Sequence, residues 1–127
     1  MSTNLEIVNK SKGKLPSLPF ELIKTNVLGD KYDLSLAFIT PREILKLNKT
    51  YRNINRPTDI LGFPLSKTSG EIFICQSETK KMMAKFDRTY ENFLTYLFIH
   101  GLVHLKGYDH GTKMEKKEQK FRKRFGI

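Results

Sequence analysis

All three histidines of this chain fall within eleven residues, His100-Gly-Leu-Val-His104-Leu-Lys-Gly-Tyr-Asp-His110. Residues four apart on an α-helix share a face, one turn above the other, so a helix here would present His100 and His104 to one point. The preceding residues support a helix. Tyr90, Phe93, Leu94, Leu97, Phe98, Gly101 and Leu105 trace an apolar stripe at helical spacing from Thr89 to Leu105. Gly107 then ends the helix and reverses the chain, which lets His110 return toward the same point as a third ligand. Three neutral imidazoles with an open fourth position describe a catalytic zinc site, because structural sites are usually closed by four ligands rich in cysteine. The single cysteine, Cys75, allows no internal disulfide and points to a reducing, cytoplasmic setting.

The rest of the chain must supply a scaffold for that helix. Leu5 to Asn9 reads as a strand. A linker leads to a first helix, with Ser17 as its cap, Pro19 in its first turn and Gly29 as its stop. Tyr32 to Ile39 alternates, with Tyr32, Leu34, Leu36 and Phe38 on one face, which predicts a strand packed on helices. Thr40, Pro41 and Glu43 make a capping box, so a helix should run from about Pro41 to Thr50. Tyr51 to Asp59 is polar and broken by Pro57, hence a loop, and it carries Arg52 and Arg56. Ile60 to Leu65 and Glu71 to Cys75 read as a hairpin, in which Pro64 marks an edge or a strand end. A helix over 77–87 should turn Met82, Met83 and Phe86 inward, and one over 113–124 should dock through Met114, Phe121 and Phe125. The expectation is one α+β domain spanning residues 1–127, a small mixed sheet of about four strands packed with about five helices, its metal site at the end of a core helix. A length of 127 residues with 39% hydrophobic content suits one such core. No stretch approaches the roughly 20 apolar residues of a membrane span, and the first ten residues lack the build of a signal peptide.

Charge narrows the class of partner. The formal net charge is +10, from 23 Lys+Arg and 13 Asp+Glu. Half of it lies in residues 113–127, where seven basic and two acidic side chains leave 7 − 2 = +5. Such an excess favours polyanions, with nucleic acid ahead of a membrane surface. The basic C-terminal segment is expected to extend electrostatic reach, so its removal should weaken nucleic-acid binding more than any chemical step.

A His-x3-His-x5-His pattern with glycine at the third intervening position also occurs in metzincin peptidases, whose motif places a glutamate after the first histidine as general base. Here that position is Gly101, which cannot move a proton, so peptide hydrolysis by that mechanism is disfavoured. With the cluster in view, the chain resembles the YbeY family of metal-dependent bacterial endoribonucleases. HGLVHLKGYDH at 100–110 carries the resemblance. It extends through Leu47-Asn48, Tyr51-Arg52, Arg56-Pro-Thr-Asp-Ile-Leu-Gly-Phe-Pro64 and Gly70-Glu-Ile72. The resemblance implies that His100, His104 and His110 hold one zinc ion and that Arg52 works in the cleft. It also implies cleavage of single-stranded RNA in maturation of the ribosomal RNA 3' end of the small ribosomal subunit, and a part in ribosome quality control. Gly62 departs from the family's usual serine, Glu71 from its usual aspartate, and the lysine-rich end from its acidic run.

By its own chemistry, the Arg52 guanidinium can hold two phosphate oxygens and neutralise the charge that builds on them. Arg56 is a secondary candidate for substrate positioning. Asp59 and Asp109 could orient a histidine ring or cap turns, and Tyr108 could stack on a base or simply pack. A second class of function stays open: a ribosome-assembly factor that binds RNA and keeps its metal for structure.

Overall fold

Alternation along the second strand decides how the sheet is covered. In the computed structural model, which describes residues 4–107 and 111–127, β1 (Leu5–Asn9), β2 (Asp33–Phe38), β3 (Ile60–Ser66) and β4 (Ser69–Ile74) form one mixed sheet in the order β1-β2-β4-β3. β1 runs parallel to β2 and β2 parallel to β4, while β3 and β4 pair as an antiparallel hairpin. Tyr32, Leu34, Leu36 and Phe38 all enter the main core with Ile72 and Ile74 of β4. That core is completed by Phe20, Ile23 and Val27 of α1 (Phe20–Leu28) and by Leu94, Phe98, Ile99, Leu102, Val103 and Leu105 of α4 (Tyr90–Leu105). Ala37 of β2, Leu61 of β3 and Cys75 just past β4 belong instead to a second cluster on the opposite side, with Ile44 of α2 (Pro41–Arg52). Helices therefore cover both faces, as expected of an α+β fold.

Local signals set most element ends. The capping box of α2 forms in both directions: Glu43 N donates to Thr40 Oγ1 at 3.2 Å, and Thr40 N donates to Glu43 Oε1 at 3.3 Å. α2 runs to Arg52, two residues beyond the expected Thr50, so Arg52 sits in a last helical turn and not in a loop. α4 starts at Thr89, whose hydroxyl accepts from Asn92 N at 3.2 Å. It ends at Gly107, whose φ of 105° lies in the left-handed region that glycine adopts without strain.

Expectations for the first and third helices also fail. Ser17 is not the cap of α1; Pro19 occupies that position and no side chain caps the helix, its φ already suited to a helix start. α3 (Gln76–Met83) is shorter than 77–87, and it buries Gln76 and Thr79, leaving Met82 and Phe86 exposed. The reason is the polar side of α3: Thr79 Oγ1 donates to the Cys75 carbonyl at 2.9 Å, and Gln76 accepts from the Tyr90 hydroxyl at 2.7 Å. Phe86 instead stacks on Phe93 from outside, with ring centroids 4.9 Å apart. The expected docking of α5 (Thr112–Arg124) through Met114 and Phe121 holds, with Phe125 packed alongside. Among the described residues no helix is long and apolar enough to cross a membrane.

Candidate metal and phosphate cleft

β3 is an edge strand, and its two faces carry different helices. Ile60 and Gly62 face α4, whereas Leu61 and Phe63 pack toward α2. Beside this edge lies a cleft of about 470 Å³, lined by residues from the C-terminal parts of α2 and α4. Arg52, Asp59, His100 and His104 line it together with residues 60–63. The helix brings His100 and His104 to one wall, as their spacing predicts, and Arg52, at the extended end of α2, lines the same space. Arg56 is not in that lining; its carbonyl accepts from the Asn48 amide at 2.9 Å, which ties the loop to α2. His110, Tyr108 and Asp109 lie outside the described residues. Among the described residues no group of three metal-ligating side chains is assembled.

Glycine shapes the cleft wall at two positions, in opposite senses. A Cβ on Gly101 would lie 3.0 Å from Ile60 Cδ1 and 3.2 Å from Ile72 Cδ1, tighter than ordinary van der Waals contact. Gly101 thus lets α4 press onto β3 and β4, and the position where a metzincin carries its base is filled by the sheet. A Cβ on Gly62 would meet Leu105 at 3.8 Å and the His104 ring at 4.0 Å, which is ordinary contact.

The carboxylate that holds a histidine is one the sequence reading passed over. Glu118 of α5 is buried, and its Oε1 lies 2.8 Å from His100 Nδ1. The signal was present: Met114, Glu118 and Phe121 share the i, i+4, i+7 face by which α5 docks. A carboxylate at Nδ1 keeps the proton on that nitrogen and leaves Nε2 with its lone pair, the form in which imidazole binds a metal. Two imidazoles one turn apart beside an open cleft, one with its Nδ1 on a carboxylate, are donors whose chemistry suits a divalent metal ion.

α5 is also more than a charged extension. Met114 and Phe121 are core residues, and the Arg122 guanidinium lies 5.0 Å from the Tyr96 ring centroid. Removing residues 113–127 would strip core packing and the partner of His100 together with the charge, so the expected separation of binding from chemistry does not apply to that truncation.

The family model for "Endoribonuclease YbeY" matches residues 8–125. The chain belongs to the YbeY endoribonuclease family. It is 33% identical over 121 residues to the endoribonuclease YbeY of Acholeplasma laidlawii, covering 90% of this chain and 88% of that one. It is 36% identical over 112 residues to the endoribonuclease YbeY of Aliarcobacter butzleri, covering 84% and 79%. The solution structure of a Thermotoga maritima protein superposes with a TM-score of 0.68 at 28% identity, covering 94% of this chain and 87% of the other. The family's extent thus reaches beyond the motif at 100–110 into the N-terminal third and α5.

Proposed function

We propose that this chain is a metal-dependent endoribonuclease that cleaves single-stranded RNA in ribosomal RNA maturation, with residues 1–127 acting as one catalytic domain. One observation carries the reading: Arg52 and the His100/His104 pair line the same cleft. His100, His104 and His110 are the proposed holders of one zinc ion. The chemistry a bound divalent metal supplies at such a site is Lewis-acid polarisation of a phosphate oxygen or of a water. Every other part falls to the chain itself. Glu118 fixes the tautomer and orientation of the His100 ring. Arg52 grips two oxygens of the scissile phosphate and offsets the negative charge that grows on them. The cleft lies beside a strand edge and loops, and can follow an exposed backbone without reading base pairs. The small ribosomal subunit, 3'-end processing, ribosome quality control and a cytoplasmic setting complete the reading, on the strength of the family resemblance.

His100 and His104 line the cleft and are not members of the main hydrophobic core. This favours a catalytic over a structural metal, so chelation should leave the fold intact while abolishing cleavage. The test is cleavage of a single-stranded ribosomal RNA fragment, with zinc present, by His104→Ala and Arg52→Ala. The expected loss is about 10²-fold or more for each, the scale of removing a group that stabilises developing charge. Undiminished cleavage by either variant removes that residue from the mechanism.

A further inference from the structure

A second groove, of about 490 Å³, lies on the α2 side of the sheet, and Lys10, Lys46, Tyr51 and Phe73 are among its lining. Three aromatic rings connect it to the Arg52 cleft. Tyr51 packs edge-on against Phe63 with centroids 5.3 Å apart, and Phe63 packs edge-on against Phe73 at 5.8 Å. Phe63 lines the cleft while Tyr51 and Phe73 line the groove, so one continuous aromatic surface spans both. Tyr51 is 67% exposed, an unusual position for a large ring, and Arg52 follows it directly on α2.

The charges around these rings select the occupant. α2 carries Arg42, Lys46, Lys49 and Arg52 against a single acid, Glu43. Glu43 also lines the groove, but its carboxylate is engaged by the backbone and hydroxyl of Thr40, at 3.3 and 3.1 Å. Aromatic faces beside spaced cations are what a single nucleic-acid strand requires, with bases stacked on rings and phosphates on lysine and arginine. A purely apolar partner would leave these cations unmatched.

We propose that Tyr51, with Phe63 and Phe73 behind it, is a stacking platform for bases flanking the scissile phosphate, and that Lys10 and Lys46 hold the phosphates of that flank. This rests on the endoribonuclease reading for its direction, since the strand leads out of the Arg52 cleft, but binding tests it separately from cleavage.

The experiment measures fluorescence anisotropy of the full chain with three labelled 12-nucleotide probes: a single-stranded RNA, the same strand with abasic ribose in one flank, and a duplex RNA. Integrity of each probe is checked on a gel, and cleavage is scored in a separate assay. Tyr51→Ala should weaken single-strand binding by about 5- to 150-fold, the range one base-on-aromatic stack supplies. Tyr51→Phe should retain it, and abasic substitution should erase the difference between wild type and Tyr51→Ala. Lys46→Ala should lower the slope of log affinity against log salt by about 0.7, the value of one phosphate contact on a single strand. Wild-type affinity in Tyr51→Ala, with its circular dichroism unchanged, overturns the platform even if the protein cleaves RNA. So does self-association of the wild type that Tyr51→Ala abolishes without altering RNA binding, which would make the patch a contact between copies. Loss of binding in Tyr51→Ala by a protein that never cleaves RNA keeps the platform and sinks the nuclease reading.

Discussion

Removing the Glu118 carboxylate should loosen the proposed metal site without dismantling the fold. Glu118 is 6% exposed, and its Oε1 lies 2.8 Å from His100 Nδ1, while the Arg122 guanidinium stands farther off at 3.7 Å. The imidazole is therefore its nearest polar partner. In Glu118→Ala the ring of His100 loses the acceptor that selects its tautomer and limits its rotation. Loss of an orienting partner of this kind typically costs 10- to 100-fold in metal affinity, or about 1.4–2.7 kcal/mol. A hydrogen bond to a charged group contributes about 1.5–3 kcal/mol to stability. Relief from burying a carboxylate offsets part of that, so the metal-free fold should lose only about 1–2 kcal/mol. Glu118→Gln keeps an acceptor oxygen and should lose less on both counts. Zinc affinity is read by competition with a chromophoric chelator, stability by urea unfolding of the chelated protein, and the tautomer by nitrogen chemical shifts of labelled histidine. Wild-type zinc affinity in Glu118→Ala, or an unchanged His100 tautomer, would refute the reasoning, since neither outcome is compatible with a carboxylate that positions the ring.

The two cleft-wall glycines should respond differently in urea unfolding. Gly101→Ala gains helix propensity of about 1 kcal/mol but forces the Ile60 and Ile72 tips aside at about 1–3 kcal/mol, for a net loss near 1 kcal/mol. Gly62→Ala meets only ordinary contacts and should be neutral or stabilise by up to about 1 kcal/mol through the unfolded chain; the reverse order would contradict the packing described. Alkaline pH should weaken the fold through Tyr90. Burial, with smaller contributions from Glu91 and Cys75, pushes its phenol up to about 12 from an ordinary 10. The folded state keeps a proton that the unfolded chain releases, so this contribution is whole below pH 10 and is lost between pH 10 and 12. The loss is at most about 2.7 kcal/mol, and about 1–2 after solvent screening of a half-buried group. Tyr90→Phe should flatten that part of the stability profile at the expense of its 2.7 Å bond to Gln76, and an unchanged slope would place the titration elsewhere.

Local chemistry made much of this protein legible in advance. The Thr40/Glu43 capping box, the Gly107 stop and the alternation at residues 32–38 act within a turn or a strand, and each appears where the residues predict. The i, i+4 pairing of His100 and His104 is equally local, so one wall of the cleft could be read directly. α3 was misread because Met82, Met83 and Phe86 suggest an inward face, whereas hydrogen bonds to Cys75 and Tyr90 turn Thr79 and Gln76 inward instead.

What the sequence by itself determined, then, is the helix that carries two imidazoles and the family motif around it. Only the tertiary structure decided what meets those imidazoles. Glu118 reaches His100 across 18 residues because α5 docks on α4, and Arg52 enters the same cleft because β3 is an edge strand. The Tyr51–Phe63–Phe73 surface likewise joins a helix to two strands. The physical reason is common to all three. Spacing along a helix or strand follows from backbone geometry that each segment carries within itself, whereas a contact between segments exists only after burial of the shared core has chosen their order and faces.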